Sequence, residues 1–255
     1  MLFGPLLGLF WYTARAEQRP LTPEQAQILD GARSYALNYS ASLPDFLCNQ
    51  IVRRSEDLRG DGRWRQIDAL NIKVSYFGHS EDYTLMEVNG RPSVLDYKLL
   101  GGTISTGEFG SRLLAVFARQ SHTEFGWKGW SHVRHHRVAV FTYRVARENS
   151  ANRVQVGTVG EGPNSVVIGY HGELSVDPES NAVMRVTLTG DLPPGFAING
   201  CSSWVEYDYR TVAGRPYLLP VESETGLSAG RYKSSNHIEF QEYRKFQTDA
   251  TITFK

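Results

Sequence analysis

Cysteine is scarce: two residues, Cys48 and Cys201, in a chain of 255. That excludes a disulfide-dense scaffold, and the lack of any C-x-x-C spacing excludes a zinc ribbon or a thioredoxin-type redox pair. An excess of either charge is missing too, since Lys plus Arg and Asp plus Glu number 27 each. Duplex binders neutralise phosphates with a basic stripe, so nucleic acid is not an expected partner. No apolar run approaches the roughly 20 residues that a membrane-spanning helix needs. There is no G-x-S-x-G elbow, no H-E-x-x-H and no phosphate loop ending in Gly-Lys-Ser/Thr. No cofactor is expected, and no motif argues for an enzyme.

What is present begins with the apolar run Leu2 to Tyr12, followed by Ala14-Arg15-Ala16. A short apolar stretch ending in A-x-A has the form that signal peptidase cuts, although no Lys or Arg precedes Arg15. Residues 1–16 are therefore expected to be a signal peptide or an apolar N-terminal segment, and 17–255 a single β-rich domain. Export would place the protein in the periplasm or outside the cell. In that oxidising setting Cys48 and Cys201 can pair, closing a loop worth about 4–5 kcal/mol in the chain-entropy model. Two buried free thiols are the alternative.

A helix is expected after Thr22, where Pro23 suits the first turn and Gln25 completes a capping box. Ile28, Ala32, Tyr35 and Tyr39 recur at helical spacing, and Leu43-Pro44 ends the run. A second helix is expected in "STGEFGSRLLAVFARQ", with Ser105 and Glu108 at capping-box spacing and Phe109, Leu113, Val116 and Phe117 on one face.

The remainder alternates at period two. Strands are expected in "FLCNQIVRRSE", "LNIKVSYFGH", "DYTLMEV", "HRVAVFTYRVA", "SVVIGYHGELSV", "AVMRVTLTG", "SWVEYDYRTV", "RPYLLPVESE", "SSNHIEFQEYRKF" and "ATITF". Asn89-Gly90 is a two-residue hairpin signal. With no helix between successive C-terminal strands, antiparallel pairing is favoured. The class is mainly β (α+β): one long curved antiparallel sheet or half-barrel, with an N-terminal and an inserted helix covering a face.

In the arm "SVVIGYHGELSV", Val166, Ile168, Tyr170 and Leu174 share one parity, and His171 and Glu173 share the other. Asp177-Pro178 reads as turn chemistry. In "SHVRHHRV", His132 and His136 would share a strand face but stand about 13 Å apart. Arg134 and Arg137 would repel a cation, so no metal centre is expected. Glu81-Asp82, Asp208, Glu222 and Glu224 are carboxylates that sequence alone cannot pair across a cleft. No catalytic residue is assigned. Phe125, Trp127 and Trp130 either line an apolar site or pack beneath the second helix.

"SLPDFLCNQIVRR", "STGEFGSRLLAVF", "TEFGWKGWSHVRHHRVAVFTYRV", "YHGELSVDPESNAVMRVT" and "RPYLLPVESE" with "NHIEFQEYRKF" resemble a paralogous group of exported bacterial proteins of unassigned function. More distantly, the strand, acidic-Pro turn and return strand within a long meander resemble the LolA/LppX/RseB-type superfamily. That resemblance implies a periplasmic half-barrel whose apolar concave face, covered by helices, holds lipid or acyl chains. This chain is longer than a minimal carrier and sets its second helix between strands.

The leading reading is an exported, non-enzymatic protein that binds an apolar or lipidated ligand. Phe109, Leu113, Phe117, Val166, Ile168, Tyr170 and Leu174 are the candidate pocket residues. Expected partners are a lipid, acyl chain or lipoprotein, or an envelope protein. A structural or interaction subunit of an envelope or surface assembly, and an envelope hydrolase, remain as alternatives.

Overall fold

A computed structural model describes residues 19–97, 100, 103, 107–155 and 165–246. The apolar N-terminal segment, Ser105 and "ATITF" lie outside the described residues.

Helix α1 (Pro23–Ser42) starts as its sequence dictates. Thr22 Oγ1 accepts from the Gln25 N–H at 3.3 Å, and Gln25 Oε1 accepts from the Thr22 N–H at 3.0 Å. Both bonds satisfy amide groups that a helix start leaves without partners. The buried stripe is Ile28, Leu29, Ala32, Ala36 and Tyr39. At its end the Tyr39 hydroxyl donates to the Leu218 carbonyl at 2.8 Å.

The strands are β1 (Phe46–Asp57), β2 (Arg65–Phe77), β3 (Ser80–Val88), β4 (Arg91–Pro92), β5 (Glu124–Val133), β6 (His136–Val145), β7 (Arg153–Gln155), β8 (Ser165–Val167), β9 (Gly169–Val176), β10 (Val183–Asp191), β11 (Gly200–Val212), β12 (Arg215–Ala229) and β13 (Tyr232–Lys245). Eleven form one open antiparallel sheet in the order β4-β3-β2-β1-β13-β12-β11-β10-β9-β6-β5. It is open and does not close into a barrel. Consecutive strands pair almost throughout. The exceptions are β1 with β13, which joins the two ends of the chain, and β6 with β9. At the β3–β4 turn Asn89 and Gly90 take φ of 52° and 73°, the positive pair that a tight hairpin turn requires.

Three expectations change. Helix α2 spans only Ser111–Phe117, and Gly110 precedes it without a side-chain cap. Glu108 lies before the helix, turned into the core, with Arg112 Nη2 3.7 Å from its Oε1. The first arm of the "YHGELSV" hairpin begins at Gly169, because the Ile168 N–H turns away to the Asn152 carbonyl at 3.0 Å. Val166 then falls on β8, paired with Val154 in a separate two-stranded ribbon. Finally, β5 is a strand that the periodicity of "FGWKGWSHV" does not announce, because Gly126 and Gly129 interrupt its alternation.

The disulfide expectation is corrected. Both thiols are free, with Cys48 buried on β1 and Cys201 half-buried on β11. Cys201 is level with Leu227, Ser234 and so Glu56 on β1. Residues 48 and 56 of a strand stand about 26 Å apart, and two further strands separate β1 from β11. A disulfide needs Cα atoms within about 7 Å. Burial pushes both thiols up, Cys48 further. Alkylation of the native protein is expected to label Cys201 slowly and Cys48 only after denaturation. Peptide maps with and without reductant should be identical; a Cys48–Cys201 peptide would refute this arrangement.

Candidate functional site

Strand parity and register together define the inner wall beneath the helices. One transverse row runs Leu70, Val52, Ile238, Ser223, Val205, Val186, Leu174, Phe141, each the register partner of the next. It crosses eight adjacent strands from β2 to β6. All eight are buried, and only Ser223 is polar.

Two residues further along the first five of these strands, about 7 Å away, the next row on the same face reads Asp68, Arg54, Asn236, Thr225, Ser203. These five positions are polar, and the row turns apolar at Leu188 on β10. Arg54 and Asp68 form a two-pronged pair, Nε to Oδ1 at 2.7 Å and Nη2 to Oδ2 at 2.5 Å. Asn236 Nδ2 donates to the Thr103 carbonyl at 2.5 Å. Arg112, from α2, donates to Ser203 Oγ. The wall is therefore amphipathic along the strand direction, an apolar band bordered by a polar band with cationic groups at two points.

Some of its polar groups lack a protein partner. Gln50, on β1 between Ile72 and Phe240, is 1% exposed. Among the described residues neither of its amide atoms is hydrogen-bonded, and the same holds for Ser223 Oγ and Thr225 Oγ1. Each such group costs about 1–3 kcal/mol.

The predicted pocket residues divide. Phe109, Leu113, Phe117, Tyr170 and Leu174 come together in the main apolar cluster, while Ile168 is buried and Val166 stands apart on the ribbon. Phe109 packs against Phe46 and Phe240, with ring centroids 5.2 and 5.6 Å away. Helix α2 is held over the wall by side chains donating to its backbone, Tyr170 to the Ala115 carbonyl at 3.3 Å and Tyr207 to the adjoining Glu108 carbonyl at 2.9 Å. Of the aromatic trio, Phe125 stacks on Phe117 at 5.5 Å, whereas Trp130 is 42% exposed.

The carboxylates do not form a pair across a cleft. Asp177 accepts from the Glu179 N–H and the Ser180 hydroxyl, as turn chemistry. Glu222 meets Arg134 at 3.2 Å, and Glu224 accepts from Ser235 at 2.9 Å. Glu81 accepts from the Tyr83 hydroxyl and from the Gly107 N–H. Burial, then the nearby Glu108 charge, holds the Glu81 carboxyl above its usual range. His171 is exposed, with Nδ1 2.9 Å from Asp191 Oδ1. A depression of about 250 Å³ at the β1–β2 turn is lined by Glu56, Asp57, Arg59, Arg63 and Arg65 among others, a charged surface unsuited to an apolar ligand.

The sequence missed the polar row, although part of its signal was there. Val52 and Arg54 share the parity of buried Phe46 and Cys48, so Arg54 falls at an inward position.

No family model matches the chain, and no curated protein matches it in sequence. Solved structures with similar folds include a LolA superfamily protein from Nitrosomonas europaea, at 10% identity and a TM-score of 0.40, covering 90% of this chain and 97% of that one. A DUF1329 family protein from Desulfovibrio piger matches at 8% identity and 0.40, covering 89% and 95%. An outer membrane lipoprotein-sorting protein domain from Vibrio parahaemolyticus matches at 11% and 0.40, covering 89% and 93%. The likeness to the LolA superfamily is distant.

Proposed function

We propose that the protein is an exported, non-enzymatic binder of an amphiphile, a lipid or a lipidated partner, held against the inner wall of the half-barrel. The observation that carries this reading is the pairing of the two rows. An acyl chain fits the apolar band from Val52 to Leu174, and its polar head reaches the band of Arg54, Thr225 and Ser203 about 7 Å away. The buried hydroxyls of Ser223 and Thr225, which the described residues leave unpaired, are suited to an ester or hydroxyl of the ligand. Export is part of the same proposal and rests on the Leu2–Tyr12 run and the Ala14-Arg15-Ala16 pattern.

Native mass spectrometry with lipid extraction, on protein purified without detergent from its own host, tests this reading. The expected result is a chain beginning at Glu17 with a bound acyl-chain amphiphile. A Ser223→Ala, Thr225→Val double variant should be at least as stable to heat, having lost buried unpaired groups, yet retain several-fold less amphiphile. Only ligand-free protein, or equal retention by the variant, would refute the head-group assignment; a retained Leu2–Tyr12 segment would refute simple export.

A further inference from the structure

The β5–β6 turn gathers three groups that the binding wall does not use. Arg134 and His135 form the turn, and His136 opens β6. Arg134 has φ of 53°, which breaks the strict alternation that would send neighbouring strand side chains to opposite faces. The two imidazoles lie with centroids 4.5 Å apart. Asp208 comes from β11, at the parity opposite to buried Tyr207 and so away from the wall. One ligand atom from each of His135, His136 and Asp208 lies within 4.8 Å of the other two.

Both neighbouring arginines face other groups, which tempers their repulsion of a cation, although the Arg134 charge still acts on Asp208. Arg134 turns to Glu206 at 3.3 Å and Glu222 at 3.2 Å. Arg137 lies over the Trp130 ring, 4.0 Å from its centroid. Arg210 is the competitor that stays, with Nη1 2.9 Å from Asp208 Oδ2, and it has the Tyr209 carbonyl at 2.9 Å as a second acceptor. Burial raises the Asp208 carboxyl, but Arg210 and the Tyr209 N–H outweigh it and hold the group below its usual range. A further carboxylate stands behind the ligands, Asp177 Oδ2 being 3.8 Å from His136 Nδ1.

We propose that His135, His136 and Asp208 bind a divalent transition metal of the zinc class. Two imidazoles and one carboxylate match zinc's ligand preference and leave a fourth tetrahedral position for water or an outside ligand. Ligand atoms in such a shell stand about 3.3 Å apart, given bonds of about 2.0–2.1 Å. Rotation of the exposed His135 side chain on its turn supplies the closure. Bound metal would tie the edge hairpin to β11, three strands from β6 in the sheet order.

Calorimetric titration of the metal-free full chain with zinc alone, beside magnesium and calcium, tests the site. One zinc per chain with micromolar affinity, and no binding of the other two ions, is expected. His135→Ala, at an exposed turn position, should fold normally and bind zinc at least tenfold more weakly. Asp208→Asn should do likewise, while His132→Ala should bind as the parent does. No stoichiometric zinc binding, or equal affinity in His135→Ala, would overturn the proposal.

Discussion

Asp68→Ala is expected to lower the melting temperature by about 6–20 °C, from a loss of about 3–5 kcal/mol. The Arg54 and Asp68 side chains are each only 11% exposed, and their two-pronged geometry fixes the guanidinium against the wall. Removing the carboxylate deprives a buried cation of its two-pronged partner, whose attraction offsets part of its desolvation. Arg54 is also the register partner of Asn236, which holds Thr103, so the disturbance spreads along the polar row. The pair itself need not be a net stabiliser. An Arg54→Met, Asp68→Leu double variant is expected to recover most or all of the lost stability, because an apolar pair of similar volume carries no desolvation cost. Thermal unfolding of the parent and the two variants decides the matter. If Asp68→Ala melts within about 2 °C of the parent, a shift of under about 1 kcal/mol, the pair is solvated and the wall is more open than its burial implies. The double variant has a second use, since it removes one cationic point of the polar band while keeping the fold.

How much of this was legible depends on whether the signal is local. The capping box at Thr22 and Gln25 reads directly, because both partners lie within one turn of chain. The Asn89-Gly90 turn reads directly for the same reason, as does the alternation that buries Tyr170 and Leu174 while exposing His171. What failed was decided at long range. Cys48 and Cys201 looked like a pair only until register placed Cys201 level with Glu56. The polar row joins residues as far apart as Asp68 and Asn236, which no spacing in the sequence connects. Strand periodicity sets His132 and His136 about 13 Å apart, and it does not announce the turn that a positive φ at Arg134 makes of residues 134 and 135. Its spacing from Ser105 makes Glu108 a helix-cap candidate, whereas its buried carboxylate lies 3.7 Å from Arg112. In each case the residue type was visible, and its partner was set by the pairing of strands.

Gly172→Ala is expected to be among the most damaging single changes in the sheet, costing about 2–6 kcal/mol from overpacking and a broken buried hydrogen bond. Gly172 is the register partner of Tyr143 on β6. Across β9, the Tyr143 hydroxyl donates to the Thr187 carbonyl on β10 at 2.7 Å. The phenol thus bridges two strands that flank the glycine, and it can do so only because residue 172 has no side chain. A Cβ there would collide with the Thr187 carbonyl oxygen, lie 2.7 Å from its carbon, and stand 3.0 Å from the Tyr143 ring. Two of those three obstacles are backbone, so no rotamer change relieves them. Moving Tyr143 aside would strand its buried hydroxyl and the Thr187 carbonyl together. Tyr143→Phe should cost only the hydrogen bond, about 1–3 kcal/mol. If the glycine exists to admit that bridge, the Gly172→Ala, Tyr143→Phe double variant will be less destabilised than the sum of the two singles, since the bond can be lost only once. Strict additivity by urea unfolding would mean that Gly172 answers to the β10 backbone alone.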